Sequence, residues 1–201
     1  RRATRIEGVD AVCCAIPDGR EDDALEVEAR RLGAVVFRGS ETDVLSRYLV
    51  AARMTNASTV MRVTADCPFL DWRVSSRVLQ EHLSKGLDYC SNLEPRSWPK
   101  GLDTEVFTSA ALEEAAASAH EPGDREHVTP FMRRNDRFRR GGPVAADGDF
   151  SSWRWTLDYP ADLDFFQAVL EHSQSDTPDF EEVRAIVERT PEIARINAHL
   201  T

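Results

Sequence analysis

The chain has 201 residues and a formal net charge of −10, with 41% hydrophobic and 30% charged residues. This composition is typical of a globular protein with one domain, which we take to span residues 1–201. The negative charge disfavours a nucleic-acid backbone as the main partner, because such partners are bound by basic surfaces. No apolar run approaches the roughly 20 residues that a membrane-spanning helix needs, so we expect no membrane partner.

The first half of the chain alternates between apolar runs and amphipathic segments. This alternation predicts β-α-β units, and therefore an α/β fold with a mostly parallel sheet and right-handed crossovers. The predicted strands are residues 9–17, 34–39, 58–66 and 87–92, and the predicted helices are residues 21–33, 42–54 and 71–86.

The segment 94–140 interrupts this rhythm, and we expect it to form a β/α excursion. It opens with a turn-rich stretch, and its last predicted helix, 124–135, is interrupted by Pro130. Beyond the excursion, one or two strands precede two helices, the first of which places Leu163, Phe166 and Val169 on one face.

The four cysteines indicate reduced thiols rather than a disulfide framework. Cys13 and Cys14 lie inside an apolar run, and no Cys-x-x-Cys pair occurs in the sequence. This pattern is typical of a cytoplasmic protein, which is the location we expect. No cysteine or histidine pair has the spacing of zinc ligands, so we expect no zinc site.

Two aspartates follow predicted strands in matching contexts. Asp66 ends RVTAD and Asp158 ends RWTLD, and a proline stands two residues later in each case. Ligands of open parallel sheets bind beyond the carboxyl ends of the strands, so we expect both carboxylates at one rim. Two carboxylates suit Mg²⁺, because phosphate oxygens and water commonly complete its coordination shell. The alternative is that each aspartate only caps a helix or a turn.

Five blocks in this order cover nearly the whole chain: FRGSETDVLSRY, RVTADCPFLD, SNLEPRSWPKGLDTEVF, DREHVTPF and RWTLDYPADL. Together they resemble the spore-coat polysaccharide type of cytidylyltransferase, a branch of the family of acylneuraminate and 3-deoxy-manno-octulosonate cytidylyltransferases. The resemblance implies a three-layer α/β fold of the nucleotide-diphosphosugar-transferase type. It also implies transfer of CMP from CTP to a sugar, often a nonulosonic acid, for cell-surface polysaccharide, with release of pyrophosphate.

The resemblance also implies roles at the nucleotide end of the site. Asp66 and Asp158 would be catalytic residues that hold Mg²⁺. Arg62 lies on the same strand face as Asp66, and we predict that it is catalytic and contacts the nucleotide, unless it forms a structural ion pair. Arg38 and Ser40 follow another strand and are predicted to bind the nucleotide. Ser40 would otherwise cap the next helix.

At the other end, the resemblance places the excursion near the sugar acceptor. Lys100 would pair with a sugar carboxylate, or else be solvated. Asp103 and Glu105 would bind sugar hydroxyls or brace the loop, and His127 would contact the acceptor or be a structural histidine. The predicted acceptor-binding residues are Lys100, Asp103, Glu105, Arg125, Glu126 and His127.

One feature of the family has no counterpart in residues 1–201. The family opens with a strand and an Arg- and Gly-rich loop, ending near Leu-Pro-Gly-Lys, which cradles the triphosphate. We therefore expect the chain to lack this segment, either as a fragment or as a naturally truncated, inactive protein. Alternative functions are a glycosyltransferase or nucleotidyltransferase using another nucleotide, or an inactive remnant that binds a nucleotide or sugar.

We also expect a homodimer, because additions such as 94–140 often join two subunits in this family. The basic run RRNDRFRR at 133–140 lies in the same region. Such a run usually forms a solvated face. The more specific alternative is that it contacts a second subunit or an anionic substrate.

Overall fold

A computed structural model describes residues 1–200 of the chain. The strands are β1 (Cys13–Pro17), β2 (Val35–Gly39), β3 (Thr59–Arg62), β4 (Tyr89–Ser91), β5 (Glu105–Thr108) and β6 (Arg140–Gly141). The α-helices are α1 (Asp23–Arg31), α2 (Val44–Met54), α3 (Trp72–Lys85), α4 (Ser109–Ser118), α5 (Pro122–His127), α6 (Pro130–Arg134), α7 (Pro160–His172), α8 (Phe180–Arg189) and α9 (Pro191–Arg195). None of these helices combines the length and the apolar character that crossing a membrane requires.

The strands form two sheets, and the predicted α/β fold is confirmed. β1 pairs with β2 in parallel. The second sheet has the order β3-β5-β4-β6. β5 is antiparallel to both neighbours, whereas β4 and β6 are parallel, so β3, β4 and β6 run in one direction. The reversed strand comes from the predicted excursion, which therefore supplies part of the sheet itself.

Residues of β5 show that helices cover both faces of the second sheet. Val106 packs against Val78 and Leu79 of α3. Its neighbour Phe107 packs on the opposite side, with residues of α2 and α4. Because successive side chains of a strand point to opposite faces, the sheet is the middle of three layers.

Local sequence signals explain where the key helices begin and end. The Asp71 carboxylate accepts hydrogen bonds from the first main-chain N–H groups of α3, including that of Arg73 at 2.7 Å. Gly86 ends α3 in the left-handed conformation with φ 59°, which glycine adopts at little cost. The predicted interruption at Pro130 is also confirmed, because this residue opens α6 after the short helix α5.

The predicted buried face of α7 is wrong at Leu163. This side chain is 47% exposed, whereas Asp162 is completely buried beside Phe166 and Val169. The buried stripe is shifted because Asp162 forms an ion pair with a buried arginine, Arg154. A polar residue therefore occupies a position that periodicity would give to an apolar one.

Candidate active site

The loop after β3 and the segment before α7 meet through main-chain hydrogen bonds. The Leu157 N–H donates to the Asp66 carbonyl oxygen at 2.8 Å. The Thr156 hydroxyl lies 3.2 Å from both that carbonyl and Asp66 Oδ2. Asp158 follows this contact by one residue, and its side chain is 40% exposed. The two predicted aspartates therefore lie on directly paired segments at one edge of the fold.

A buried ion pair fixes the Asp158 segment. Arg154 donates to Asp162 through Nε and Nη2 at 2.8 and 2.9 Å, and Nη2 also donates to Asp158 Oδ2 at 2.7 Å. Burial alone would raise the pKa of Asp162, but hydrogen bonds from Arg154 and the Asp158 main chain hold that pKa well below its usual range. Asp162 therefore stays ionised and keeps Arg154 oriented toward Asp158.

The donor set of Asp66 and Asp158 fits a hard divalent cation. Within residues 1–200, Asp158 Oδ1 makes no hydrogen bond, and Asp66 Oδ1 accepts only a long one, 3.7 Å, from the Cys67 thiol. Burial raises the pKa of Cys67 to about 12, so this residue stays a thiol. Residues 1–200 contain no cluster of three or more His, Cys, Asp or Glu that could hold a metal. Mg²⁺ commonly takes only one or two carboxylates together with phosphate oxygens and water.

A cavity of about 410 Å³ lies beside this edge, at the ends of β3 and β5. Arg62, a lining residue, is the last residue of β3, so the loop that carries Asp66 begins directly at the cavity. Three arginines, two acidic residues and one histidine line the cavity. The lining residues are Arg62, Leu93, Arg96, Asp103, Glu105, His127, Thr129, Pro130 and Arg133.

Arg62 enters the cavity as half of an ion pair with Glu105 on the opposite strand. Arg62 Nη1 donates to Glu105 Oε2 at 2.7 Å, and the hydroxyls of Tyr89 and Thr129 donate to Oε1 at 2.6 and 2.5 Å. Burial lowers the pKa of Arg62, but the groups around it, chiefly Glu105 with Tyr48 and Tyr89, together raise it above its ordinary value. The Nε of Arg62 is buried without a partner among residues 1–200. Glu105 thus braces a permanently charged arginine that keeps free donors.

Arg96 and Arg133 were not predicted as site residues. Arg96 donates to both oxygens of Asp103, at 2.6 and 3.0 Å, and this hydrogen bonding raises the pKa of Arg96. Arg133 forms an ion pair with Glu94. Arg96 lies in the turn-rich part of the excursion, and Arg133 belongs to the basic run 133–140, whose sequence is compatible with a solvated face, a second subunit or an anionic substrate.

Three predicted acceptor-binding residues do not line the cavity. Lys100 is exposed, and its main chain pairs with Trp153 and Trp155. Arg125 is drawn away by an ion pair with Asp43 and a 2.9 Å hydrogen bond to the Ala116 carbonyl. Glu126 is exposed. The cavity therefore brings together Asp103, Glu105 and His127 from the predicted set of six.

The predicted nucleotide-binding pair has structural partners. Arg38 donates to Asp23 at 2.6 Å and to Glu26 at 2.8 Å, as well as to the Pro17 carbonyl. These contacts join β2 to α1 and occupy the guanidinium. Ser40 Oγ accepts the Asp43 N–H at 2.9 Å in the turn before α2, whereas the helix is capped by Asp43, whose carboxylate accepts the Ser46 N–H at 3.0 Å.

The three-layer fold, with paired aspartate segments at one edge and an arginine-lined cavity beside them, is that of an α/β nucleotidyltransferase. A solved cytidylyltransferase from Leptospira borgpetersenii serovar Hardjo-bovis superposes with a TM-score of 0.91 at 26% identity, over 96% of this chain and 82% of that one. A CMP:2-keto-3-deoxy-manno-octonic acid synthetase solved with CTP gives a TM-score of 0.63 at 14% identity, over 85% of both chains, and supports the fold alone.

Sequence comparison identifies the family. Residues 1–182 match the cytidylyltransferase family. The chain is 30% identical to the spore coat polysaccharide biosynthesis protein SpsF of Bacillus subtilis, over 92% of this chain and 78% of that protein. It is 29% identical to an uncharacterised protein of Methanocaldococcus jannaschii, over 99% of this chain and 82% of that protein. The chain belongs to the cytidylyltransferase family and is a nucleotidyltransferase, which confirms the resemblance seen in its five sequence blocks.

Proposed function

We propose that the protein transfers CMP from CTP to a sugar acid and releases pyrophosphate. The observation that carries this proposal is the pairing of the Asp66 and Asp158 segments beside a cavity lined by three arginines. The paired carboxylates suit a metal-bound triphosphate, whereas the arginines suit an anionic acceptor. Membership of the cytidylyltransferase family supports CTP as the donor.

The chemistry requires an acceptor hydroxyl to attack the α-phosphorus of CTP while pyrophosphate leaves. Asp66 and Asp158 would hold Mg²⁺, which offsets negative charge on the phosphates when it is bound. Arg62 has unused donors and a charge fixed by Glu105, so it stabilises charge that develops on the phosphate oxygens. The residues of this chain mainly position the two substrates and neutralise charge on the phosphates, as is general for transfer at phosphorus.

The acceptor is proposed to be an acid because the cavity is rich in arginine. Arg96 and Arg133 are partly exposed there, and each pairs with a protein carboxylate, Asp103 or Glu94, through only part of its guanidinium, so N–H groups remain to bind an acid. Asp103 and His127 line the same cavity and provide partners for sugar hydroxyls. In this proposal Arg96 and Arg133 take the carboxylate-binding role that the sequence assigned to Lys100.

We further propose that the protein works in the cytoplasm as a homodimer, in the synthesis of cell-surface polysaccharide. The Bacillus subtilis relative, named for spore coat polysaccharide biosynthesis, supports this context. Light scattering that gives about twice the mass of one chain would support the dimer, and a monomer at all concentrations would contradict it.

Pyrophosphate release tests the proposed reaction. Purified protein and Mg²⁺ are combined with CTP, UTP, GTP or ATP, and with sugar acids or their neutral analogues. We expect release with CTP and an acid, and a loss of at least about 100-fold in Asp66→Asn and Asp158→Asn. The control is Asp164→Asn, since Asp164 is exposed on the neighbouring helix α7. Full activity in both Asn variants, or a preference for neutral acceptors, would refute the proposal.

A further inference from the structure

Asn197 lies beyond α9, outside the residues 1–182 that match the family, yet its side chain reaches the core of the candidate site. It is 2% exposed. Asn197 Nδ2 donates to the Arg154 carbonyl oxygen at 3.0 Å and to Asp162 Oδ1 at 2.9 Å. Both partners are acceptors, so the position requires a hydrogen-bond donor, which the amide nitrogen of Asn197 supplies.

The two acceptors of Asn197 belong to the residues that hold Asp158. Asp162 Oδ2 accepts the main-chain N–H groups of Asp158 and Tyr159, each at 3.0 Å. Arg154 Nη2 donates to Asp158 Oδ2 at 2.7 Å. Asp158 is therefore fixed twice, through its main chain by Asp162 and through its carboxylate by Arg154.

We infer that Asn197 is a positioning residue for Asp158, so that the C-terminal segment completes the metal-binding edge of the site. Asn197 links the Arg154 main chain to the Asp162 carboxylate by hydrogen bonds. Because it binds Oδ1 of Asp162, Oδ2 is oriented toward the N–H groups of Asp158 and Tyr159. With Oδ2 of Asp158 held by Arg154, Oδ1 is the oxygen left to bind a cation. This inference rests on the proposed function, because it takes Asp158 as a metal ligand.

Partners behind a ligand affect metal affinity because they fix the orientation of that ligand. The network around Asp162 is buried, so a missing donor there is not replaced by solvent. The substitution Asn197→Asp would replace the donating nitrogen by an oxygen, which is repelled by the Arg154 carbonyl and the Asp162 carboxylate. Asn197→Asp is therefore a nearly isosteric substitution that reverses both contacts.

The test is Mn²⁺ binding to the protein in the presence of CTP, measured by electron paramagnetic resonance, which needs no turnover. We expect about three- to tenfold weaker Mn²⁺ binding in Asn197→Ala, and a larger loss in Asn197→Asp. The matched control is Ile193→Ala, because Ile193 is buried in the same C-terminal segment but packs in the apolar core. Its melting temperature should fall while Mn²⁺ affinity stays within about twofold of the wild type.

Hydrogen exchange adds a readout at the positioned loop itself. The Asp158 and Tyr159 amides should exchange faster in Asn197→Ala than in Ile193→Ala, because only Asn197 acts on their common acceptor, Asp162. If Asn197→Asp does not fold, the comparison between Asn197→Ala and Ile193→Ala decides the question alone.

The outcomes separate this inference from the proposed function. Wild-type Mn²⁺ binding with unchanged affinity in the Asn197 variants would overturn the inference and leave the function standing. An equal loss in Ile193→Ala would show a general stability effect and overturn it as well. A wild type that binds no Mn²⁺ with CTP would overturn both, because Asp158 would then not be a metal ligand.

Discussion

Arg62 and Glu105 lie directly opposite each other on the antiparallel strands β3 and β5, and their side chains form a 2.7 Å ion pair at the cavity wall. Glu105 is 2% exposed and accepts two further hydrogen bonds, from Tyr89 and Thr129. Its carboxylate is thus occupied by three donors of the protein. The sequence allows Glu105 either to bind sugar hydroxyls or to brace the loop, and this geometry favours bracing.

Replacing Glu105 by alanine should destabilise the protein strongly. The substitution leaves the charge of Arg62 and the hydroxyls of Tyr89 and Thr129 without their common acceptor in a buried place. Removing one partner of such a buried pair costs about 3–5 kcal/mol of unfolding free energy. Urea unfolding monitored by circular dichroism measures this change.

The matched control is Glu113→Ala. Glu113 also pairs with an arginine, Arg53, at 3.0 Å, but both side chains are more than half exposed. Exposed pairs contribute about 0–1 kcal/mol, so this variant should unfold almost as the wild type does. Equal losses in the two glutamate variants would contradict the bracing role of Glu105.

The strand and helix alternation could be predicted from the sequence because it depends on local patterns. Apolar runs mark β1 and β2, and capping residues such as Asp71 mark where helices begin. The position of β5 between β3 and β4 could not be predicted. It depends on contacts between residues far apart in the chain, which local periodicity does not encode.

The sequence marks the two aspartates and Arg62 of the candidate site, but not Arg96 and Arg133. Asp66 and Asp158 lie within recognisable sequence blocks, whereas the partners of an arginine are decided only when distant segments pack. Arg38 lies at a strand end as predicted, but its guanidinium forms ion pairs with Asp23 and Glu26 of α1. Asp162 was missed because a buried aspartate interrupts the apolar periodicity that marks a helix face.

Arg96→Ala should weaken acceptor binding more than catalysis. Loss of a charge-assisted hydrogen bond in a cavity costs about 1.5–3 kcal/mol, which raises the KM for a sugar acid about 10- to 150-fold. The KM for CTP and the kcat should change much less. Steady-state pyrophosphate release with varied acceptor separates these parameters.

Arg137→Ala serves as the control for Arg96. Arg137 lies in the basic run and pairs with Glu114 on the surface, away from the lining residues of the cavity. Its removal should leave the acceptor KM unchanged. An Arg96 variant with a normal acceptor KM would remove the main support for carboxylate recognition by this side chain.

Gly101→Ala should be strongly destabilising. Gly101 has φ +111°, and a Cβ there would overlap the main-chain carbonyl of Trp155. Backbone strain and overpacking together should lower the unfolding free energy by about 2–4 kcal/mol. Gly123→Ala is the control, since nothing lies within 4 Å of its added Cβ in α5. There, alanine should raise stability by about 0.5–1 kcal/mol, and equal effects at both glycines would contradict the close approach at Trp155.

His82 should make the stability of the protein depend on pH. It is buried in α3, and its Nδ1 has no hydrogen-bond partner among residues 1–200. Burial lowers the pKa of His82 below its ordinary value, although the charge of Asp88 opposes this. The unfolded chain therefore takes up a proton at a higher pH than the folded chain does. The stability that neutral His82 provides is complete above the unfolded pKa of about 6.5 and is lost as pH falls through the folded pKa.

His82→Leu tests this dependence, because leucine removes the titrating group without breaking a side-chain hydrogen bond of the described residues. Urea unfolding of both proteins between about pH 7.5 and pH 5 gives two curves of unfolding free energy. The wild type should lose more stability than the variant on acidification, because only the wild type must keep an imidazole neutral in the core. Acidic groups common to both proteins cancel in the difference between the curves. Parallel curves would show that His82 is protonated as easily in the folded protein as in the unfolded chain.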